Sequence, residues 1–297
     1  MGPPLVGPYE RLMLLEALSL SGRPPTDALA ALAQQATEHR LGAGSSTGDA
    51  EIWDAAHVVV EGRVSVSQSG RRLYSAGPRE TFGLLELLAR VNRGLEAHAE
   101  VETTTLDIRA ATLFAILEDH PAMALAVVQG LARALMGSPA AASDVISRSV
   151  RVPEFPRASP FDLVDRITLL RTSDLFSHAR ADSLAEIAQQ FEEFRVEPTT
   201  ILWSEGDSAS WLLVVLDGRV ETGPSSAIPV SWTPGMAPGA LEAIAGMPRW
   251  CDAAAVTAVR GLRLRAEHLF DAFEEDFLMT EDLLAALASQ LRQLRYG

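Results

Sequence analysis

The chain repeats itself. Asp27-Ala28-Leu29-Ala30-Ala31-Leu32-Ala33-Gln34-Gln35 returns as Asp182-Ser183-Leu184-Ala185-Glu186-Ile187-Ala188-Gln189-Gln190, 155 positions later (182 − 27). Glu61-Gly62-Arg63-Val64 returns as Asp217-Gly218-Arg219-Val220, and Leu113-Phe114 as Leu269-Phe270, both at an offset of 156 (217 − 61; 269 − 113). A register this steady implies two copies of one domain, at 1–136 and 161–297 with a linker at 137–160. Each is within the ~100–200 residues usual for a domain. Any functional residue must therefore be sought twice and compared.

With 47% hydrophobic and 22% charged residues, each copy can bury an ordinary core. No apolar run approaches the roughly 20 residues that span a bilayer, and the opening Met1-Gly2-Pro3-Pro4 lacks a basic stretch and an apolar stretch, so neither a membrane span nor a secretory signal is expected. A single cysteine, Cys251, agrees with a reducing cytoplasm. The net charge of −14 repels a phosphate backbone on average, which argues against nucleic-acid partners. All 25 basic residues are Arg, so lysine chemistry, from Schiff bases to the P-loop, is excluded.

Each copy opens with apolar positions at helical spacing, at 10–18 and 161–170, then a second helix containing Leu29 and Leu32 or Leu184 and Ile187. The period then shortens. His57-Val58-Val59-Val60 and Arg63-Val64-Ser65-Val66 are short β-rich runs, as are Ile201-Leu202-Trp203 and the run 211–216. Glycines at 62, 70, 206 and 218 break these runs, and hairpins are expected near 68–70 and 223–225. Further strands are expected near 99–105 and 254–265, then paired helices at 112–118 with 121–135 and at 267–273 with 280–294. Many short strands between glycine turns give a mainly β, α+β chain with a jelly-roll barrel in each copy.

Helices, barrel strands, a helix opened by Gly83 or Gly239, more strands and two closing helices resemble the cyclic nucleotide-binding domain family, which includes catabolite-activator regulators and kinase regulatory subunits. The matching residues are Asp174-Leu175-Phe176, Glu205-Gly206-Asp207 and Leu216-Asp217-Gly218-Arg219-Val220 in copy two. In copy one they are Val60-Glu61-Gly62-Arg63-Val64 and Phe82-Gly83. The resemblance spans nearly the whole chain and implies two tandem double-stranded β-helix domains.

It also implies where a ligand would sit. In the family a Glu directly after the Gly accepts from the ribose hydroxyl, and an Arg further on pairs with the cyclic phosphate lying on the backbone amides. Here the Glu position holds Leu84 and Ala240, and the Arg position falls on Ala97 and Asp252. Both copies carry a Glu two places late, Glu86 and Glu242. The resemblance thus implies two degenerate cassettes, with Leu84, Leu87, Leu88, Met247 and Trp250 expected to take the ligand's space. Arg93 and Arg249 are the alternative phosphate ligands, and each reads by default as a solvated loop residue.

The six His residues show no metal-ligand spacing, and no catalytic Cys/His, Gly-x-Ser-x-Gly or P-loop signature occurs. No catalytic residue, metal or cofactor is therefore expected. No helix-turn-helix follows Tyr296, so DNA binding is not expected. Leu284, Leu287, Leu291 and Leu294 form an a/d-like seam suited to a homodimer or an intrachain pseudo-dimer. Two readings stay open. One is a cytoplasmic, non-catalytic regulatory or adaptor protein in bacterial signalling that acts through a protein partner. The other is a sensor that binds a cyclic mono- or dinucleotide in remodelled pockets. Arg93 or Arg249 in a barrel mouth would favour the sensor, and an apolar plug would favour the adaptor.

Overall fold

The computed structural model describes residues 6–16, 25–48, 52–91, 93–137, 161–171, 179–223 and 229–296. The matching run at 174–176, the expected hairpin tip at 224–225 and most of the linker at 137–160 lie outside these. The chain divides into two compact units, Met1–Gly130 with Ala288–Gly297, and Leu131–Leu287. The sequence repeat assigns each closing helix whole to its own copy. The compact units divide differently at Leu131–Met136 and Ala288–Tyr296, because a repeat register does not report what buries the far end of a helix.

In the first unit α1 (Pro8–Leu15) and α2 (Thr26–Gln35) precede eight strands: β1 (Thr37–Leu41), β2 (Ser46–Thr47), β3 (Ala55–Glu61), β4 (Val64–Gln68), β5 (Arg71–Ala76), β6 (Thr81–Phe82), β7 (Leu95–Ala99) and β8 (Thr103–Arg109). They form two antiparallel sheets, ordered β1-β8-β3-β6 and β2-β7-β4-β5. The alternation of β7 sends Leu95, Ala97 and Ala99 inward. There they join Val59, Val64, Val66, Phe82 and Trp53 in one core. The short α3 (Leu84–Leu88) sits between β6 and β7, and α4 (Ala110–Asp119) and α5 (Pro121–Met136) close the copy.

The second copy runs through α6 (Leu163–Arg171), α7 (Ala181–Gln190), β9 (Glu192–Val196), β10 (Ile201–Trp203), β11 (Trp211–Asp217), β12 (Val220–Thr222), β13 (Ser231–Trp232), α8 (Ala240–Ala245), β14 (Ala253–Ala255), β15 (Val259–Arg265), α9 (Ala266–Glu275) and α10 (Phe277–Tyr296). Its sheets, among the described residues, are β11-β15-β9 and β10-β14-β12-β13. Its core gathers Trp203, Val215, Val220, Trp232, Cys251, Ala253, Ala255 and Val259.

The helices-plus-antiparallel-sheets architecture is the expected α+β jelly-roll, twice over. The repeated Gly-Arg-Val motif has a steric cause. Gly62 and Gly218 stand at φ 94° and 89°. A Cβ at Gly62 would lie 2.6 Å from Thr103 Cα, and one at Gly218 would overlap Ala258 O. Two expected boundaries move. The strand read near 99–105 is two strands with a turn between them, and so is the run 254–265. The last helix begins at Phe277 rather than at 280. Asp276 caps it by accepting from Leu278 N (3.1 Å), while the Thr280 hydroxyl is buried and donates to Phe273 O (2.7 Å).

No single described helix is long and apolar enough to cross a membrane; α4 and α5 reach that length only jointly, across a 111° bend. No cluster of potential metal ligands occurs among the described residues.

Candidate functional site

Each copy builds the same start. Gly83 and Gly239 take left-handed φ values of 78° and 79° and cap α3 and α8. In both units the third helical residue is a buried Glu. Glu86 is fully buried and Glu242 nearly so. Burial raises both carboxyls, and each residue's own backbone N–H works the other way.

Around Glu86 the first unit adds a polar stack. Tyr74 Oη donates to Glu86 Oε2 at 3.0 Å and accepts weakly from Gly83 N at 3.4 Å. Tyr296 stacks on Tyr74 at 5.1 Å between ring centroids, with planes 15° apart. Arg292 reaches Gln68 Oε1, and Ser289 Oγ donates to Ala89 O at 3.4 Å. Burial raises the Glu86 carboxyl, against the pull of its own backbone N–H, the Tyr74 hydroxyl and the charges of Arg292 and Arg295. Burial also pushes the Tyr74 phenol up, helped by the adjacent Glu86 charge. Leu84 and Leu88 are buried beneath, and Leu87 is half-buried.

Behind Gly83 stands His57, stacked on Phe82 at 4.4 Å. Its Nδ1 is 2.7 Å from Asp107 Oδ1 and its Nε2 is 2.7 Å from Ile52 O. Burial works against the Asp107 charge, but the His57 hydrogen bond and charge win and hold that carboxyl below its ordinary value. A Cβ at Gly83 would come within 2.8 Å of Ala55 O and 3.2 Å of the His57 ring. His57 therefore backs the glycine turn.

The second unit fills the same place differently. Arg249 is 2% exposed. Its Nη1 donates to Gly239 O at 2.9 Å and its Nη2 donates to Trp211 O. Its guanidinium carbon lies 4.4 Å from the Trp203 ring centre and 5.0 Å from that of Trp211. Burial raises the Glu242 carboxyl while the Arg249 charge pulls it down, and burial lowers Arg249 in turn while Glu242 supports its charge. Burial, then Glu242, lifts the Cys251 thiol to about 12, so it stays protonated and inert. The Arg249 backbone is pinned too: its N donates to Asp207 O, and its O accepts from Gly206 N, both at 2.9 Å.

The residues singled out in the sequence thus part company. Gly83 and Gly239 cap the two short helices, and Leu84 and Ala240, the first residues of those helices, are buried. Ala97 points into the core between Val66 and Thr47. Arg93 is exposed in a turn, where its carbonyl accepts from Gln68 Nε2. Asp252 accepts from Glu205 N at 2.7 Å and packs under Gly223, so it braces a loop. Arg249, whose default reading was a solvated residue, is buried. Of the residues expected to plug copy two, Met247 is 37% exposed, while Trp250 is half-buried and packs against the core.

Sequence reasoning missed Tyr74, Tyr296 and the Trp203–Trp211 pair. The signal for the last was present, in four of the five tryptophans falling in copy two.

No family model matches the chain, and no curated protein is similar to it in sequence. Among solved structures, the regulatory domain of Toxoplasma gondii PKA co-crystallised with cAMP is similar with a TM-score of 0.35 at 16% identity, covering 94% of this chain and 95% of that one. The regulatory subunit of a cAMP-independent protein kinase A from Trypanosoma cruzi, bound to guanosine, gives 0.34 at 14%, covering 92% and 84%. The N-terminal domain of a transcriptional regulator from Streptomyces coelicolor gives 0.38 at 26%, covering 42% and 91%. What each of these binds belongs to that protein.

Proposed function

We propose that the chain is a non-catalytic regulatory protein that kept a cyclic nucleotide-binding scaffold, lost its ligand, and acts through a protein partner in the bacterial cytoplasm. One observation supports this most. Each short helix after the glycine carries a buried glutamate, Glu86 or Glu242, two places beyond the position where a ribose acceptor is expected. A phosphate diester entering either mouth would meet a like charge in a low-dielectric setting, which disfavours binding steeply. In the first unit the mouth is further filled by Leu84, Leu88 and Tyr74.

A second reading attaches to the second unit alone. Arg249 in its mouth could pair with a cyclic mono- or dinucleotide phosphate if the side chain turned away from Gly239 O. Calorimetric titration with cyclic AMP, cyclic GMP and a cyclic dinucleotide separates the two. No heat at 1 mM ligand (about the −4 kcal/mol level) is expected, and micromolar binding would overturn the adaptor reading. Affinity purification from the native cell, with and without added nucleotide, should return the same partner in both cases.

Leu284, Leu287 and Leu291 are buried within the single chain, while Leu294 is 39% exposed. Burial within one chain speaks against a homodimer through this seam. Light scattering is expected to give a monomer mass, and a dimer that Leu287→Glu dissociates would reverse that choice.

A further inference from the structure

The mouth of the second unit has the wrong chemistry for an anion and the right chemistry for a cation. Trp203 and Trp211 meet edge to face, 5.4 Å between centroids, and Trp232 stands 6.4 Å from Trp203. Both faces nearest Arg249 offer π density to positive charge. Two carbonyl oxygens, of Gly239 and Trp211, accept from the two ends of a planar fork. Glu242 supplies a buried carboxylate alongside. Each element favours a guanidinium.

The present occupant is not perfectly housed. Arg249 Nε is buried without a hydrogen-bond partner among the described residues, and so is Trp203 Nε1. Leaving such groups unmet typically costs on the order of one hydrogen bond each, so the self-filled state is not the best this box can offer. The box also lies close to solvent. Trp211 is half-exposed, and it alone of the box residues lines a surface cleft of about 260 Å3, with Glu192, Arg263, Arg265 and His268. The loop beside it, 204–208, is exposed throughout. The net charge of −14 draws cations toward the surface.

We propose that this box is a recognition site for a guanidinium group, filled from within by Arg249, and that an arginine of a partner segment or a free guanidino compound takes the place when Arg249 swings out. The arginine source rests on the partner-binding reading above, whereas the box itself does not. Lysine fits worse, because a point charge cannot span two carbonyls as a planar fork does.

The test titrates wild type and Arg249→Ala with methylguanidine, agmatine, an arginine-bearing pentapeptide and its lysine counterpart, reading tryptophan fluorescence and melting temperature, with equimolar urea as control. Arg249→Ala is expected to saturate with methylguanidine and to bind at least about tenfold more tightly than wild type, because the internal competitor is gone. Tighter binding of the arginine peptide than of agmatine assigns the site to a partner segment, and equal binding assigns it to a free guanidino compound. A folded Arg249→Ala with no saturable response overturns the proposal. Should that variant not fold, recovery of its structure by methylguanidine but not by urea supports the box, and no recovery overturns it. Guanidinium binding without any protein partner would sink the adaptor reading and leave the box standing.

Discussion

The two mouths begin from the same glycine turn and the same misplaced glutamate, yet they neutralise it by different means. In the first unit the carboxylate is met by a phenol, Tyr74, with the cations Arg292 and Arg295 acting on it from further off. In the second the guanidinium of Arg249, buried among tryptophans, acts on it through its charge alone. A neutral donor tolerates a proton on its partner, and a buried cation does not. The first mouth should therefore be a rigid seal and the second a charged pair that depends on both members.

Arg249→Ala tests that dependence most severely. It leaves Glu242 buried without its countercharge and empties the space between Trp203 and Trp211. Removing one member of a buried pair typically costs about 3–5 kcal/mol. Urea unfolding at pH 7 should show a loss of that size, smaller as the pH falls and Glu242, whose carboxyl burial raises, takes up a proton. A loss under about 1 kcal/mol at pH 7 and below, the scale of an exposed pair, would mean that the two groups are not coupled.

Gly239→Ala comes next. The new Cβ would overlap Arg249 Nη1, and the backbone would be held at a φ that costs an L residue roughly 1–2 kcal/mol. Evicting the guanidinium should bring the total to about 2–4 kcal/mol. The excess over strain should vanish in an Arg249→Ala background, so a double-mutant cycle reads the steric coupling directly. Additive losses would show that Arg249 is not held against this glycine.

The tandem order, the glycine turns and most strands were legible because each rests on local rules: φ at Gly62 and Gly218, or the β-rich runs at 57–60 and 63–66. The contents of the mouths were not. Tyr296 meets Tyr74 from 222 positions away (296 − 74) and Arg249 meets Trp211 O across 38. No periodicity reports such contacts. Glu86 and Glu242 were visible as glutamates two places late, but only their burial shows that they occupy the cradle instead of facing solvent. Arg93 and Arg249 looked alike as loop residues. What separates them is a pair of tryptophan faces, present in one copy and absent from the other.

Glu86→Gln and Glu242→Gln should split with smaller effects. Burial raises both carboxyls in the folded chain. Between the ordinary carboxylate value and the raised one, the native state holds protons that the unfolded chain has released. Stability from this source is thus highest at low pH and falls as pH rises through that window. Glu86→Gln removes the buried charge, keeps an acceptor for Tyr74, and should raise stability at pH 8 by about 1–2 kcal/mol while flattening the slope. Glu242→Gln should give no gain, because Arg249 then lacks its partner. Equal gains from both, in urea unfolding at pH 5 and pH 8, would erase the distinction between the mouths.

Tyr296→Ala should have the smallest effect and the most local one. An aromatic pair of this geometry is worth about 0.5–1.5 kcal/mol beyond its buried area. Its loss should leave the bond from Tyr74 to Glu86 in place, since that bond does not pass through Tyr296. Hydrogen exchange offers the sharper readout. Amides of 84–91 should exchange faster in the variant, because the ring that covers Tyr74 is gone, whereas those of 240–249 should keep their wild-type protection. Equal loss in both segments would mean that Tyr296 holds the fold as a whole, and the first mouth could then no longer be described as sealed by its own stack.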